Sequence, residues 1–455
     1  MSPKISVRAA AGTRDFLPEE MALRNYVRNV IETSFQRFGF QPLETPAIER
    51  LDVLTGKYGE EADRLVFKIL KRGRELEKGL ESGDLADLAL RYDLTVPLAR
   101  VAAMNHGSLV YPFKRYQIQP VWRAERQQKG RYREFVQCDA DIVGSSTISA
   151  DAEIIALTYE ILTALGIPKF CIHVNHRSIL HDIITGVCGV TEDKFVAACV
   201  AVDKYDKIGW EGVREELDRR GLTKTMVEAV ITALNFSGLP ADVMAETAKQ
   251  FEEFPELLSA YGEMSRLFEE LQAQGVPEES LSFTHYLARG LDYYTGPIFE
   301  TIVEEPKIGS ITGGGRYDQL IGMFSGQDIP ATGTTIGIER IFDVMRELHL
   351  FDAEIDAPVQ ALVAVFSKET RLESLKIAAE LRRAGIKTEI YLDEAKKLGK
   401  QFAYADKKRI PFVIIAGPDE IAKGEVTIKD LKKGEQKVVG RGKICQALRA
   451  PITQS

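Results

Sequence analysis

The chain predicts an α+β body built on an antiparallel sheet, a helical insertion within that body, and a C-terminal α/β domain. Three observations carry this: period-two alternation in two stretches between residues 116 and 143, a helix-rich acidic texture from about 175 to 280, and strand–helix alternation beyond 358. At 455 residues the chain exceeds what one hydrophobic core organises, so several domains of ~150 residues are expected. The divisions fall at 1–174 and 281–350 for the body, 175–280 for the insertion and 357–455 for the last domain.

Taken in order, the segment from Pro18 opens with Glu19 and Glu20. It then spaces Leu23, Tyr26, Val27, Val30, Ile31, Phe35 and Phe38 at helical steps until Gly39 stops it. Phe40 to Ile48 reads as extended, and Pro42 and Pro46 make it an edge or interface strand. Residues 61–90 are charged and glycine-punctuated, which suggests a hairpin or loop region before a helix that begins at Pro97. After the insertion, short apolar strands resume from 281 to 337, then a helix runs from Ile338 to Leu348 and a linker from Asp352 to Pro358. Strands at Val359–Phe366, Thr388–Leu392 and Phe412–Ala416 alternate with helices ending at Ala384 and spanning 394–408, which implies a largely parallel sheet. No G-x-G-x-x-G opens it, so a dinucleotide site is unsupported.

Composition narrows the function classes. With 45% hydrophobic and 28% charged residues the chain is not disordered, and no apolar run approaches the ~20 residues of a membrane span. Its first sixteen residues lack the apolar core of a secretion signal. The five cysteines, at 138, 171, 188, 199 and 445, show no C-x-x-C pair, which suits a cytoplasmic, reducing setting. Net charge is −8, but residues 357–455 hold 20 Lys/Arg against 12 Asp/Glu, a local +8 that leaves −16 on the rest. Such asymmetry suits a polyanion held at one end, or a solvated basic surface without a partner.

The chemistry-bearing segments come next. Along Tyr116–Glu125, residues Gln117, Gln119, Arg123 and Glu125 share a face, and along Glu134–Val143 so do Gln137, Asp139 and Asp141. The intervening loop is polar and basic, so an antiparallel hairpin with one polar face is expected. Arginines among carboxylates and glutamines suit bidentate phosphate binding through Arg123 and Arg131; the other reading is a solvated sheet face. A second segment, His285–Gly296, places Arg289, Asp292, Tyr293 and Tyr294 between glycines. Gly313-Gly-Gly-Arg-Tyr-Asp is a weaker signal, since glycine clusters also mark plain turns. Gly337 precedes a helix whose first turn carries Arg340, where the helix dipole favours an anion; pairing with a neighbouring acid is the alternative. Cys171, His173 and His176 lack a fourth ligand in register, so no protein-held metal is expected.

In their order these segments resemble the histidyl-tRNA synthetase family of class II aminoacyl-tRNA synthetases. The likeness spans nearly the whole chain from Gly12-Thr-Arg-Asp-Phe-Leu-Pro onward. Phe38 to Pro46 is similar to class motif 1, which implies a homodimer; Arg123-Ala-Glu125 with Arg131-Tyr-Arg-Glu-Phe135 to motif 2; and Gly337-Ile-Glu-Arg340 to motif 3. Arg91-Tyr-Asp-Leu-Thr95 and Arg289-Gly-Leu-Asp-Tyr-Tyr294 resemble the histidine-specific signatures. The resemblance implies a ligase that activates L-histidine with ATP, magnesium accompanying the nucleotide, and then loads tRNA-His. Arg123 would hold the α-phosphate and the substrate carboxylate, Glu125 the adenine edge and Phe135 the base plane. Arg131 would reach the γ-phosphate, Arg340 the other side of the nucleotide, and Arg289 would add fixed positive charge at the α-phosphate. Asp93, Thr95, Gln137 and Tyr293 would hold the α-amino end, and Asp141 with Tyr294 the imidazole.

Residues 357–455 would bind the anticodon. Asp93 and Asp141 stand where many members carry Glu, and Gln319 replaces an expected glycine, which puts the loop after Arg316-Tyr-Asp in question. A catalytically silent relative, regulatory or RNA-sensing, is the alternative; the motif arginines and the basic domain argue against it.

Overall fold

The computed structural model describes residues 7–56, 64–125, 132–289, 293–351, 359–393 and 397–449. Two units emerge: Met1–Asp15 with Val27–Leu350, and Phe16–Tyr26 with Phe351–Ser455. The helix Pro18–Arg37 is therefore shared between them. Arg131, Asp292 and the predicted linker at 352–358 lie outside the described residues.

In the first unit the strands run in chain order as β1 (Gln41–Pro42), β2 (Ile48–Arg50), β3 (Phe67–Leu70), β4 (Ala86–Leu90), β5 (Phe113–Trp122) and β6 (Glu134–Val143). They continue as β7 (Phe170–His176), β8 (Ser237–Gly238), β9 (Leu281–Thr284), β10 (Pro297–Val303), β11 (Thr312–Arg316) and β12 (Ala331–Ile336). Nine of them form one sheet in the order β1-β5-β6-β12-β11-β10-β7-β9-β8, while β2-β4-β3 make a small separate sheet. The central six are mutually antiparallel, and only β1 on β5 and β9 on β7 pair in parallel. The alternating stretches became β5 and β6 because period-two patterning offers each strand two distinct faces. Their register runs from Phe113 opposite Val143 to Trp122 opposite Glu134.

One face of the sheet is covered by the helix Ile148–Ala164, which buries Ile154, Ile155, Leu157, Ile161 and Leu162 and touches β6, β11 and β12. Arg316 ties it down: its Nε donates to Asp151 at 3.0 Å and its other nitrogens to the carbonyls of Ser145 and Thr147, each at 2.9 Å. Between β7 and β9 the chain is mostly helical apart from β8, with helices at Glu192–Val202, Tyr205–Arg219, Lys224–Leu234, Pro240–Gln250 and Pro255–Ala273 among them.

Three local expectations need correction. The 61–90 region holds the antiparallel pair β3–β4, but a helix, Gly73–Ser82, connects it. The helix expected from Pro97 starts at Thr95, which leaves Pro97 in the first turn, where its missing N–H costs nothing. Gln319 is exposed in the turn after β11 and is not among the residues with positive φ, so no glycine is required there.

The second unit carries β13 (Ala361–Val363), β14 (Thr388–Ile390), β15 (Phe412–Ile415), β16 (Glu425–Asp430) and β17 (Gln436–Gly440), in the order β14-β13-β15-β16-β17. The first three pair in parallel, but β16 and β17 are antiparallel additions, so the sheet is mixed rather than largely parallel. Apolar layers cover both faces: Ile377, Leu381, Ile414 and Ile428 on one, Leu362, Ala405, Ile410 and Val413 on the other.

Candidate active site

The polar face of the hairpin is buried rather than solvated. Arg115 and Gln117 on β5 have no exposed surface, and Gln137, Asp139 and Asp141 on β6 retain 7%, 1% and 3%. Beside them opens a cavity of about 390 Å³, lined in part by Asp93, Thr95, Arg123, Glu125, Phe135 and Gln137. Its opposite wall includes Arg289, Tyr293, Tyr294, Ser310, Thr335 and Arg340. Nearly every side chain singled out in the sequence therefore converges here, from segments some two hundred residues apart. Arg131 is outside the described residues, and Asp141 is not among those that line the cavity.

The arginines are held mainly by oxygen acceptors. Arg123 donates Nε to the carbonyl of Tyr92 at 3.0 Å and lies over the Phe135 ring at 5.0 Å. Tyr92 is itself placed by Arg91, a fully buried side chain that donates to Thr45 O at 2.6 Å, Gln119 Oε1 at 3.0 Å and Pro120 O at 3.0 Å. In Arg91-Tyr-Asp-Leu-Thr95 the arginine is thus a scaffold, while Asp93 and Thr95 face the cavity. Arg340 donates to the Ser310 carbonyl, and Arg289 Nη1 reaches the Ser310 hydroxyl at 3.2 Å, so Ser310 braces both.

Arg289 also forms an ion pair with Glu300 at 2.6 Å while keeping 38% of its side-chain surface open to the cavity. Burial works against its charge, but Glu300 and the neighbouring tyrosines and Asp203 outweigh that and raise its pKa. Room for it comes from β11: a Cβ on Gly313 would meet Arg289 Nη1 at 2.3 Å, and one on Gly315 would meet Tyr294 Cδ1 at 3.0 Å. Glycine is needed at 314 and 315 for close approach rather than for a turn, since a Cβ would stand 2.0 Å from Gly333 O and 2.7 Å from Pro297 O.

The acids behave differently. Burial pushes the Asp93 carboxyl up to about 6 against the pull of Arg123, with the Val96 N–H donating to it at 3.3 Å. Asp141 faces Gly333, where any Cβ would stand 2.0 Å from its Oδ1. Its carboxylate is committed to Arg115 at 2.8 Å and to the Tyr317 hydroxyl. Its Oδ2 accepts no aligned hydrogen bond among the described residues, although Arg115 pairs with it. Burial raises its pKa while Arg115 opposes the rise.

Several lining groups escaped the sequence reading. Tyr132, Ser310, Thr335 and Glu339 line the cavity, and Arg14 bridges two of them, donating to Tyr132 Oη at 3.0 Å and to Glu339. Tyr132 sits inside the motif-2 stretch and was recoverable. Ser310 lies in a loop whose sequence carries no pattern. The histidines near β7 have other work: His173 Nδ1 meets Thr284 Oγ1 at 2.8 Å and His176 Nδ1 accepts the Ser178 N–H at 3.1 Å. Burial raises the Cys171 thiol to about 11.

An antiparallel sheet whose polar face holds arginines from a hairpin on one side and a glycine-led helix on the other is the catalytic fold of class II aminoacyl-tRNA synthetases. Residues 12–341 match the family described as Histidyl-tRNA synthetase, and residues 360–450 match the anticodon binding domain. A histidine–tRNA ligase of Cytophaga hutchinsonii is 42% identical over 436 residues, covering 93% of this chain and 95% of that relative. One from Aeropyrum pernix is 43% identical over 448 residues, covering 97% of each. The solved histidyl-tRNA synthetase of Nostoc superposes with a TM-score of 0.86 at 30% identity, covering 98% of this chain and all of that one. The chain belongs to the histidyl-tRNA synthetase family.

Proposed function

We propose that this protein is a histidine–tRNA ligase: it activates L-histidine with ATP to histidyl-adenylate and pyrophosphate, then passes histidine to the 3′ end of tRNA-His. The observation that carries the reading is the convergence of Arg123, Arg289 and Arg340 with Asp93, Gln137, Tyr293 and Tyr294 around one cavity. In the first step a histidine carboxylate oxygen bonds to the α-phosphorus as the bond to pyrophosphate breaks. In the second, the terminal ribose hydroxyl attacks the activated carbonyl and AMP leaves. Neither step needs a covalent nucleophile from the protein, only alignment and stabilisation of developing charge.

Arg123 takes the α-phosphate and substrate carboxylate; Arg289 approaches the same phosphate from the opposite wall, and Arg340 the far side of the nucleotide. Phe135 offers a plane to the adenine, with Glu125 at its edge, and the motif-2 resemblance assigns the γ-phosphate to Arg131, which lies outside the described residues. Asp93, Thr95, Gln137 and Tyr293 receive the α-amino group, and Asp141 with Tyr294 the imidazole. Magnesium would enter on the triphosphate, neutralising phosphate charge. Among the described residues no three carboxylate, imidazole or thiol groups converge to hold a metal. Residues 1–174 and 281–350 serve as the catalytic body, 175–280 as its insertion and 357–455 as the anticodon-binding domain. A cytoplasmic homodimer joined through the motif-1 segment completes the proposal. No helix among the described residues is long and apolar enough to cross a membrane.

Purified protein is expected to catalyse ATP–pyrophosphate exchange that depends on histidine. Absence of that exchange, with the protein folded, would remove the reading and favour a catalytically silent relative.

A further inference from the structure

The motif Gly12-Thr-Arg-Asp-Phe-Leu-Pro has no role in the mechanism above, yet the fold fastens it to the cavity wall. Gly12 takes a left-handed φ of +85°, and its carbonyl accepts the Arg133 N–H at 2.8 Å. A Cβ there would meet Arg133 Cγ at 2.6 Å, so position 12 needs glycine for both conformation and space. Thr13 closes the turn, its N–H and hydroxyl donating to the Ala10 carbonyl at 3.1 and 2.8 Å. The turn delivers Arg14 between two residues that line the cavity, Tyr132 and Glu339. Arg14 Nη1 donates to Tyr132 Oη at 3.0 Å, the guanidinium lies 3.9 Å from the centroid of that ring, and Nη2 pairs with Glu339.

Both partners stand beside residues proposed to hold the nucleotide. Glu339 precedes Arg340 in the first turn of its helix, and Tyr132 belongs to the same stretch as Phe135. Glu339 poses a difficulty there. Its side chain is 9% exposed, and its charge opposes the triphosphate that Arg340 and the helix dipole would attract. A nearly buried carboxylate also needs a counter-charge of its own. Arg14 supplies one, and it does so without being among the residues that line the cavity.

We propose that Arg14 is a positioning residue for ATP: it cancels the charge of Glu339 and, through Tyr132, holds the motif-2 stretch against the helix that carries Arg340. The inference rests on the ATP-dependent function proposed above. Arg14 acts through its two partners, so its loss weakens the hold on the nucleotide and leaves the amino-acid end unchanged.

Arg14→Met tests this by removing the charge from a long side chain. In pyrophosphate exchange its KM for ATP is expected to rise about 10- to 100-fold, the value of one hydrogen bond to a charged group, with the KM for histidine held within about twofold. The melting shift produced by ATP, a readout that needs no chemistry, is expected to shrink while the shift produced by histidine is kept. Arg14→Lys keeps a cation beside Glu339 and is expected to recover most of the KM for ATP. Adding Glu339→Gln to Arg14→Met is expected to bring the KM for ATP within about threefold of Glu339→Gln alone, because the charge that Arg14 cancels is then gone.

An Arg14→Met variant that melts lower yet keeps the wild-type KM for ATP, or that raises both KM values equally, makes Arg14 structural and overturns the proposal. Fully additive losses in the double variant overturn it as well. Lack of histidine-dependent exchange in wild type overturns the parent function and this inference with it, whereas wild-type exchange with an unaffected Arg14→Met removes Arg14 alone.

Discussion

The two ends of the cavity hold charge in opposite ways. At the end proposed for the nucleotide Arg123 and Arg340 are anchored through backbone carbonyls, and Arg289 through a hydroxyl and a single carboxylate. Their positions are fixed before an anion arrives, and preorganised donors of this kind need no reorganisation during reaction. At the end proposed for the amino acid Asp93 and Asp139 are buried, and burial lifts their carboxyls to about 6 and about 7. In the proposed function the first end would stabilise a charge that develops, and the second would hold buried acids whose electrostatic cost a ligand relieves. The contrast teaches that rate and selectivity are separable properties of this site.

Substitutions at the two ends should therefore fail differently. The largest effect is expected at Arg289: Arg289→His should lower the rate of adenylate formation about 10²- to 10³-fold while melting temperature and tRNA binding stay near wild type. Single-turnover adenylation with a parallel tRNA filter-binding assay measures both, and a wild-type rate would remove Arg289 from the clamp. A smaller loss is expected from Glu300→Gln, which keeps the shape but removes the charge that Arg289 leans on. Exchange kcat should fall about tenfold with little change in the histidine KM, and Glu300→Asp should restore part of it. If Glu300→Gln instead alters only stability, Glu300 is not a positioning residue for Arg289.

The smallest effect is a pH dependence. Asp139 ionises near 4 in an unfolded chain and near 7 in the fold, with Arg115, Asp141 and Asp93 as its charged neighbours. Its contribution to stability is thus intact below about pH 4 and is lost as pH rises through 7, where the unfolded chain has already given up the proton. Asp139→Asn removes that loss, so its melting temperature should exceed wild type by more at pH 8 than at pH 5. An advantage that is equal at both pH values, or larger at pH 5, would show that Asp139 is not held protonated by burial.

Much of this was legible in the sequence, for reasons that can be named. Alternation over Tyr116–Glu125 and Glu134–Val143 was enough to set the hairpin, because both strands keep strict period two. The buried state of its polar face was not legible, since burial depends on β12 and the Arg91 loop, which arrive from elsewhere in the chain. For the same reason Asp139 and Asp141 could not be told apart: they share a face, and only Arg115 and Tyr317 distinguish them. Glu300 on β10 and Ser310 in the loop before β11 act on Arg289 through tertiary contacts that leave no local pattern. The hairpin β16–β17 was missed because its outer strand is mostly exposed and lysine-bearing, so its alternation is hidden. The helix Gly73–Ser82 was masked by its charge and by Gly79, which sits buried in its middle against the Asp84 backbone.

Pyrophosphate exchange measured separately with each of the twenty amino acids tests the central claim most directly, because it requires both ends of the cavity to act on one pair of substrates. The expected result is exchange with histidine and a rate lower by about 10⁴ or more with every other amino acid. Exchange of comparable rate with a second amino acid, or none with histidine, would contradict the account.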